Sequence, residues 1–502
     1  MSLAVVYSRA NVGIYAPQVT VETHLSNALP QFNIVGLPET AVKESKDRVR
    51  SALLQSAFKF PKKRITVNLA PADLPKEGGR FDLPIAISIL LASNQLRCPE
   101  ISQYELAGEL ALGGALRHIR GVLPFALATQ KEKRELIIPS SNIEEAAWVS
   151  PLAIYPFDDL LSVCAHLSKR TVCPPALVST AHLTNKYPDC FSDVCGQQYA
   201  KRALEIAAAG GHSLLMVGPP GTGKTMLASR LNAILPPITL SEALEVAAIY
   251  SISKQGFQKE CFWKRPFRRP HHTASAISLV GGGRHPMPGE ISLAHHGVLF
   301  LDELPEFSRH VLEVLREPLE SGKVHISRAA GQAEYPANCQ LIAAMNPCPC
   351  GYLSSTQHTC SCSSEQIARY RNKISGPLLD RIDMHIEVPS LSLQHLSTFE
   401  AKQEESSQVI QERVNAARLR QIARGKNINA NLSTHEINKF CKLEKATQDK
   451  LSMALEKLKI SARAYHRILK VARTIADLSD KEQIETSHIT QAIQYRKCDR
   501  EY

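Results

Sequence analysis

Long apolar segments are missing from this chain of 502 residues. No apolar run approaches the roughly 20 residues that a helix needs to cross a bilayer. The first residues, Met1 to Arg9, also lack the basic start and long apolar segment of a secretory signal. These absences predict a cytoplasmic protein with no membrane partner. In that compartment the 13 cysteines are not expected to form a disulfide framework.

Internal repeats, low-complexity tracts and coiled-coil heptads are absent as well, which excludes solenoid and fibrous architectures. Hydrophobic residues make up 44% and charged residues 21% of the sequence, as in ordinary globular proteins. The chain is too long for one core, so about two to four domains are expected. Acidic residues are the scarcer charge, 48 against 59 lysines and arginines, and the net charge is +11. That excess favours polyanionic partners without identifying one.

A phosphate-binding loop stands near the middle of the chain, where Gly218-Pro-Pro-Gly-Thr-Gly-Lys-Thr225 matches G-x-x-x-x-G-K-[ST]. An apolar run at 213–217 indicates a buried strand before it, and the apolar spacing in 226–235 indicates a helix after it. In that context backbone N–H groups bind phosphate oxygens. The residues predicted to bind ATP are Gly218, Gly221, Gly223, Lys224 and Thr225. Lys224 would reach the β and γ phosphates and the Thr225 hydroxyl would ligate Mg²⁺, whereas the alternative is a chance glycine loop.

A second apolar run, Val298–Leu301, ends in two carboxylates, Asp302 and Glu303. In phosphate-loop ATPases the first carboxylate holds Mg²⁺ through water and the second polarises the attacking water. We therefore predict an ATP hydrolase in which Asp302 and Glu303 have these roles. The alternative is a strand that ends in a solvated acidic turn.

The first part of the chain alternates β-rich apolar segments with helical ones, which predicts an α+β domain. The predicted strands include Val19–Thr23, Phe32–Val35 and Ile65–Leu69. The clearest amphipathic helix is predicted over Glu39–Leu54. A second helix, Asp82–Ala92, is almost wholly apolar and is predicted to be buried.

Two runs of this first part, Asn33–Ser45 and Asn68–Pro84, resemble the N-terminal domain of Mg-chelatase-like AAA+ ATPases of the ComM/YifB type. That domain is similar in fold to the Lon protease domain, whose enzymes carry a Gly-Pro-Ser-Ala-Gly nucleophile segment and a later Gly-Gly-Leu-Lys segment. This chain has Gly78-Gly-Arg-Phe-Asp82 and Arg120-Gly-Val-Leu-Pro124 at those places. Because both the nucleophile and its activating amine are missing, no protease activity is expected.

The resemblance covers nearly the whole chain and implies an α/β architecture. The stretch at 168–188 is rich in Ser, Thr, Pro and Lys with little periodicity, which predicts a linker. The resemblance implies a Lon-like domain at 1–167 before it, an AAA+ core with a parallel sheet at 189–390 after it, and a helical lid at 391–502. It also implies that Val194 and Gly196 lie over the adenine. Asn346 matches the first sensor, where an amide orients the attacking water beside the γ-phosphate.

Two arginines complete the implied site. Arg381, within Gly376–Asp383, resembles the arginine finger that reaches a neighbouring subunit's γ-phosphate, and a finger acting in trans implies a homo-hexamer. Its alternative is a salt bridge within Asp380–Asp383. Arg463 resembles the second sensor, with Arg467 one turn further on the same helix; the alternative is a solvated helix face.

The stretch between the two ATPase motifs is unusually basic. Residues 261–286 contain no Asp or Glu and carry the cations Lys264, Arg265, Arg268, Arg269 and Arg284, interleaved with the aromatic residues Phe262, Trp263 and Phe267. Such a mixture suits a phosphate backbone and stacked bases. The alternative is a structural loop whose arginines pair with core carboxylates.

Two projections are predicted, at Gly281–Gly289 and at Gly322–Pro336, the second as two β-rich arms around a turn at 329–331. Their positions resemble the helix-2 insert and the pre-sensor hairpin of the MCM and Mg-chelatase clade, which point into the pore of ringed DNA motors. The DNA-contact candidates are Gly282, Arg284, Lys323 and Arg328. The cations would grip phosphates with limited sequence preference.

Four cysteines cluster as Cys348-Pro-Cys350 and Cys360-Ser-Cys362, within a loop expected at 347–363. Their clustering in a cytosolic chain favours a structural, tetrahedral Zn²⁺ over disulfides. His358 is a candidate substitute ligand. The alternative is four free thiols.

The resemblance implies a hexameric DNA helicase that promotes branch migration, in homologous recombination during natural transformation. Single-stranded or branched DNA and recombination proteins are then the expected partners. Two alternatives share the motifs: a Mg-chelatase-like motor subunit and a protein-remodelling ATPase.

Overall fold

The computed structural model describes residues 3–37, 42, 44–176, 187, 189–283, 286–328, 331–353, 358–390, 404–425, 427–458 and 462–496. Arg284, one of the DNA-contact candidates, lies outside these residues, and so do 177–186 and 188 of the expected linker. The start of the helix expected at Glu39 lies partly outside them too.

The N-terminal part is built on a seven-stranded mixed sheet with the order β3-β4-β2-β1-β5-β8-β9. Its strands are β1 (Leu3–Arg9), β2 (Gln18–Ser26), β3 (Gln31–Val35), β4 (Arg64–Ala70), β5 (Tyr104–Leu106), β8 (Glu135–Pro139) and β9 (Ile154–Phe157). β1 and β2 pair antiparallel, whereas β5, β8 and β9 run parallel. A separate small ladder joins β6 (Glu109–Leu110) to β7 (Leu116–Arg117).

Among the described residues, the α-helices that accompany this sheet are α1 (Ser45–Gln55), α2 (Asp82–Ala92), α3 (Val122–Lys131), α4 (Ile143–Ala146) and α5 (Leu160–Leu167). The apolar helix predicted at Asp82–Ala92 is confirmed with the same bounds, and nearly all its side chains are buried. Pro84 is tolerated because it sits in the first turn, where the backbone N–H has no partner within the helix. The N-terminal part is therefore the α+β unit that the sequence predicts.

The central part contains a five-stranded sheet with the order β11-β14-β17-β10-β18, and every pairing in it is parallel. Its strands are β10 (Leu214–Val217), β11 (Phe267–Arg268), β14 (Val298–Leu301), β17 (Gln340–Met345) and β18 (Met384–Glu387). β10, β14 and β17 are almost wholly buried runs of apolar residues, as expected for a parallel sheet covered on both faces. β18 is buried except at Glu387, although it includes His385. The parallel core sheet is thus confirmed.

The helices of the central part are α6 (Gln198–Gly210), α7 (Lys224–Arg230), α8 (Leu240–Ile252), α9 (Ala276–Val280), α10 (Glu290–Leu293), α11 (Arg309–Val314), α12 (Arg316–Ser321), α13 (Ser364–Arg371) and α14 (Gly376–Leu379). Two small hairpins project from it, β12 (Gly281–Gly282) with β13 (Met287–Pro288) and β15 (Lys323–Arg328) with β16 (Gly331–Pro336). They lie where the sequence predicts the two projections.

The C-terminal part is helical: α15 (Ser407–Gly425), α16 (Thr434–Phe440), α17 (Lys445–Leu458), α18 (Ala462–Leu478) and α19 (Thr486–Gln494). α18 packs against α6, and one hydrophobic cluster runs from the core sheet into these helices. The helical C-terminal region is as predicted.

The N-terminal part packs on the central part through a shared apolar cluster. α3 packs along α8, and the Trp148 ring stacks on Phe262 with ring centroids 3.9 Å apart. Trp263 meets Trp148 edge to face. Because an aromatic pair of this kind contributes about 0.5–1.5 kcal/mol beyond its buried area, this contact helps to hold the two parts together.

Candidate nucleotide site

The glycine-rich loop follows β10 and leads directly into α7, the strand–loop–helix arrangement that phosphate binding requires. Gly221 and Gly223 have φ of +77° and +84°, in the left-handed region that glycine adopts without strain. The Lys224 ammonium donates to the carbonyl oxygens of Gly218 and Pro219 at 2.7 and 2.8 Å. Burial lowers the pKa of Lys224 to about 8, against the opposing fields of Asp302 and Glu303. The loop therefore presents a buried amine ready for phosphate oxygens.

Asp302 lies beside the loop because β14 and β10 are both neighbours of β17 in the sheet. The Thr225 hydroxyl donates to Asp302 Oδ2 at 2.8 Å. Arg269 reaches the same oxygen at 2.7 Å. A hydroxyl and a carboxylate at this separation form the oxygen pair that Mg²⁺ takes beside nucleotide phosphates. Thr225 and Asp302 thus fit a magnesium ion, and Arg269 supplies positive charge at this carboxylate.

Glu303 follows Asp302 in a left-handed backbone conformation, with φ of +53°. Its carboxylate lies 3.0 Å from His272 Nδ1 and is about half exposed. Asn346 follows β17 and accepts a 3.3 Å hydrogen bond from Lys224 through its side-chain oxygen. The structure therefore brings Lys224, Thr225, Asp302 and Asn346 into one network, with Glu303 at its edge.

Sequence reasoning missed the roles of Arg269 and His272 in this network. Both follow β11, a strand of only two residues that pairs with β14 and so delivers the next residues to the Asp302–Glu303 turn. A two-residue strand leaves no periodic signal in a sequence. The run Arg268-Arg-Pro-His-His272 was the only local hint.

The segment before α6 lies against the far end of α7. Arg230 on α7 donates to the Cys190 carbonyl at 3.0 Å, and the Val194 carbonyl accepts from Lys201 at 2.5 Å. Gly196 N–H donates to Glu404 at 3.1 Å, which ties this segment to the C-terminal part. Cys190 therefore contacts the helix that follows the glycine loop, and the contact of Val194 and Gly196 with adenine stays a prediction.

Arg381 lies at the opposite edge of the sheet from the glycine loop. It precedes β18, which runs parallel to β10 with Met384 opposite Leu214, and the Ser213 hydroxyl donates to its carbonyl at 3.1 Å. β10, which separates Ser213 from the glycine loop, has 4 residues and is therefore about 13 Å long at 3.3 Å per residue. Arg381 therefore lies too far from its own glycine loop to contact phosphates bound there.

The Arg381 guanidinium pairs with Glu320, and not with a carboxylate of its own segment as the alternative supposed. Arg467 donates to the Arg381 carbonyl at 2.8 Å and pairs with Asp383. Arg463 is exposed one turn earlier on α18. Arg381 and Arg467 thus stand together at the amino edge of the sheet, with Arg463 nearby.

The basic stretch before Asp302 is mostly structural. Phe262 is 3% exposed, and the Arg265 guanidinium binds the Pro236 and His296 carbonyls at 2.7 Å each. Arg268 forms a two-point ion pair with Glu290 at 2.6 and 2.8 Å. The stacking hypothesis is therefore wrong for Phe262, because that ring is used in the contact with Trp148.

The hairpin candidates differ in how they are placed. Lys323 is exposed and pairs with Glu334 across the β15–β16 ladder at 2.8 Å. Arg328 is exposed beside the turn of that hairpin. Gly282 is buried, and a Cβ there would lie 3.5 Å from the Arg328 guanidinium. The two hairpins therefore meet near Arg328, and the cations of the second face solvent.

The four clustered cysteines converge although residues 354–357 between them lie outside the described residues. Their sulfur atoms all lie within 4.8 Å of one another, and Cys348 is 3.3 Å from Cys350 and 3.7 Å from Cys360. Tetrahedral zinc–thiolate bonds of about 2.3 Å require sulfur–sulfur separations of about 3.8 Å. Cys362 completes the set, whereas the His358 ring lies against Tyr352. Four thiols in this arrangement fit one zinc ion and leave no ligand position for water.

The cysteine loop touches the nucleotide loop. A Cβ at Gly351 would lie 2.7 Å from Pro220, closer than real Cβ atoms come, so only glycine permits this approach. The loop begins directly after Asn346. A metal held there would therefore support both Asn346 and the glycine loop.

Among the described helices, none is both long and apolar enough to cross a membrane.

Comparison with known proteins gives matches along the chain. Residues 190–396 match the family model for magnesium chelatase, subunit ChlI. Residues 21–142 match a further model for subunit ChlI of Mg-chelatase, and residues 404–496 match its C-terminal model.

Curated relatives match over the full length. The chain is 54% identical to the competence protein ComM of Haemophilus influenzae over 500 residues, which cover 99% of this chain and 98% of that protein. It is 49% identical to the protein YifB of Salmonella typhimurium over 500 residues, which cover 100% of this chain and 98% of the relative. The 67 kDa magnesium-chelatase subunit of Heliobacterium mobile is 28% identical over 222 residues, or 38% of this chain and 30% of that protein.

Proposed function

Because the chain belongs to the ComM/YifB family of Mg-chelatase-like AAA+ proteins, we propose that it is an ATP hydrolase that drives DNA branch migration as a helicase. The relative named a competence protein supports a role in natural transformation, where incoming DNA is integrated by homologous recombination. The main support for ATP hydrolysis is the arrangement of Lys224, Thr225, Asp302 and Asn346 around the glycine loop.

Each residue of the network has a defined task. Lys224 and the loop N–H groups bind the phosphates, and Thr225 with Asp302 would hold Mg²⁺, which supplies charge neutralisation when bound. Glu303 polarises the attacking water and accepts its proton, with Asn346 orienting that water. In the proposal, a further cation stabilises the charge that develops on the γ-phosphate.

A second subunit supplies that cation in the proposal. Arg381 lies at the amino ends of the strands, about 13 Å along the sheet from its own glycine loop. Its guanidinium is therefore proposed to contact the nucleotide of a neighbouring subunit. Arg463 is proposed to act from the same side. A closed ring satisfies every such interface, and six subunits are proposed on the family resemblance.

The two hairpins are the proposed DNA-binding elements. Lys323 and Arg328 are exposed cations on β15, and Gly282 brings the first hairpin close to Arg328. Arg284, which lies outside the described residues, stays a candidate. Cations on a projection bind the backbone with little sequence preference, as a translocating motor requires.

The function is tested with purified protein, ATP and a four-strand DNA junction. We expect single-stranded or branched DNA to increase ATP turnover and the junction to migrate, and we expect Lys224→Ala to abolish both. DNA-independent turnover without junction movement would refute the DNA motor. It would favour the chelatase-like motor or the protein-remodelling ATPase.

Zinc is proposed at Cys348, Cys350, Cys360 and Cys362. We expect about one zinc ion per purified chain by elemental analysis, and its loss in a Cys360→Ser, Cys362→Ser double variant, because two thiolates cannot close a structural site. The melting temperature should fall with the metal, since binding free energy is folding free energy. Cys261→Ser, an exposed cysteine outside the cluster, is the control and should keep the metal. Metal-free protein with an unchanged melting temperature would contradict the site.

A further inference from the structure

A groove separates the N-terminal part from the two hairpins. Its cavity of about 400 Å³ is lined on one side by Asn11–Gly13, Gly78–Arg80 and His118–Arg120, and on the other by Pro286–Met287 and Gly331–Ala333. We call it the domain groove.

Arg80 forms the floor of the domain groove and is 9% exposed. Its guanidinium donates to Asn11 Oδ1 at 2.6 Å and to the Arg120 carbonyl at 2.7 Å, both neutral oxygens. In the described part of the chain, no carboxylate lies within ion-pair distance of it. Burial lowers the pKa of Arg80 to about 10, and the more distant Glu77 and Glu145 oppose that shift. The side chain thus remains charged at neutral pH, and buried charges are normally paired.

Arg120 adds a second positive charge at the rim. It is exposed, and its backbone carbonyl accepts from Arg80, whereas its guanidinium makes no hydrogen bond to any residue that the structure describes. Burial and the neighbouring Arg120 charge both lower the pKa of His118. Glu77 and Glu109 also line the groove, and Glu109 already faces Arg117 at 3.7 Å. Among the described residues, Arg80 and Arg120 therefore form no ion pair.

The turn between β1 and β2 lies in close contact with the second hairpin. Gly13, in the turn between β1 and β2, has φ of +58°, and a Cβ there would lie 2.9 Å from the Glu334 carbonyl oxygen. Ile14 packs into the apolar cluster beneath the hairpin. A strand gripped by Lys323 or Arg328 would pass within a few residues of this contact.

We propose that the domain groove binds a backbone phosphate of nucleic acid, with Arg120 as the contacting cation and Arg80 as the buried charge beneath it. The N-terminal part would then hold the strand that the hairpins move. The proposal rests on the proposed DNA function and extends it to a part of the chain without catalytic residues. An anion in the groove would also give Arg80 the counter-charge that it lacks.

The test compares full-length Arg120→Ala with Arg97→Ala. Arg97 is also exposed, but it lies beyond the end of α2 that is away from the groove. The 11 residues of α2 make that helix about 16 Å long. Affinity for labelled single-stranded DNA is measured by anisotropy with a non-hydrolysable ATP analogue over a series of salt concentrations. We expect Arg120→Ala to weaken binding about tenfold, as for a lost charged hydrogen bond. The slope of log affinity against log salt should fall by about 0.7, the value for one single-strand phosphate contact.

Arg97→Ala should match the wild type, and Arg120→Lys should recover most of the affinity and slope. An Arg120→Ala protein with wild-type affinity and slope, where the wild type binds DNA, would overturn the groove site and leave the DNA function standing. A wild type that does not bind DNA would overturn both. Phosphate binding is also measured by calorimetry with inorganic phosphate. If Arg120→Ala loses phosphate binding but keeps the wild-type affinity for DNA, the groove is a site for a free anion and the proposal is overturned.

Discussion

Replacing Glu303 with glutamine is expected to reduce ATP turnover on the order of 10²-fold or more while nucleotide binding is retained. The amide keeps the shape of the side chain but cannot accept the proton of the attacking water. Lys224 and the Thr225–Asp302 pair, which bind the phosphates and would hold Mg²⁺, are unchanged by this substitution. Turnover is measured as phosphate release, and binding with a fluorescent nucleotide.

Glu306→Gln is the matched control for this prediction. The same change from carboxylate to amide is made there, three positions after Glu303. The Glu306 carboxylate pairs with the exposed Lys373 at 3.5 Å. Its turnover should stay within about twofold of the wild type, as for a surface ion pair of little energetic consequence. Equal losses in both variants, or none in Glu303→Gln, would remove Glu303 from the catalytic role.

Arg381→Ala is expected to cause a loss of similar or larger size, on the order of 10³-fold, because an arginine finger stabilises the charge of the transition state. The loss should come with normal nucleotide binding, since Arg381 is on the sheet edge away from its own glycine loop. Glu320, which pairs with Arg381 in the single chain, would be released when the finger engages a neighbour.

Mixing two inactive variants tests whether the finger acts in trans. When Arg381→Ala and Lys224→Ala subunits are combined in equal amounts, about a quarter of random interfaces join an intact loop to an intact finger. We therefore expect turnover well above that of either variant alone. Arg420→Ala, which removes an arginine paired with Asp480 on the C-terminal helices, should be active without mixing. A mixture as inactive as its components would show that Arg381 does not complete a neighbour's site.

Much of the nucleotide site could be predicted from the sequence because its parts are local. The glycine loop needs eight consecutive residues between a strand and a helix, and Gly218–Thr225 supplies them in order. Asp302 and Asn346 each end an apolar run, and parallel strands carry their carboxyl ends to one edge of the sheet. The meeting of Lys224 with Asn346 follows from that rule and is observed.

The contacts that the sequence could not foresee join segments far apart in the chain. Arg269 and His272 reach Asp302 and Glu303 only because a two-residue strand, β11, pairs with β14. Phe262 suits either DNA stacking or a core, and the partner that decided between them, Trp148, belongs to the N-terminal part. The four cysteine sulfurs were expected to converge, but their contact with Pro220 through Gly351 was not.

The order of the residues was sufficient for the family, the α/β class and the chemistry of the phosphate loop, since strand, turn and helix preferences act over a few residues. Tertiary packing was required to put Arg381 at the opposite edge of the sheet from that loop. It was also required to bury Arg80 beneath Arg120 without an ion-pair partner among the described residues. A composition reports how many charges a chain carries. Only the folded backbone determines which of them face one another and which are left for a ligand.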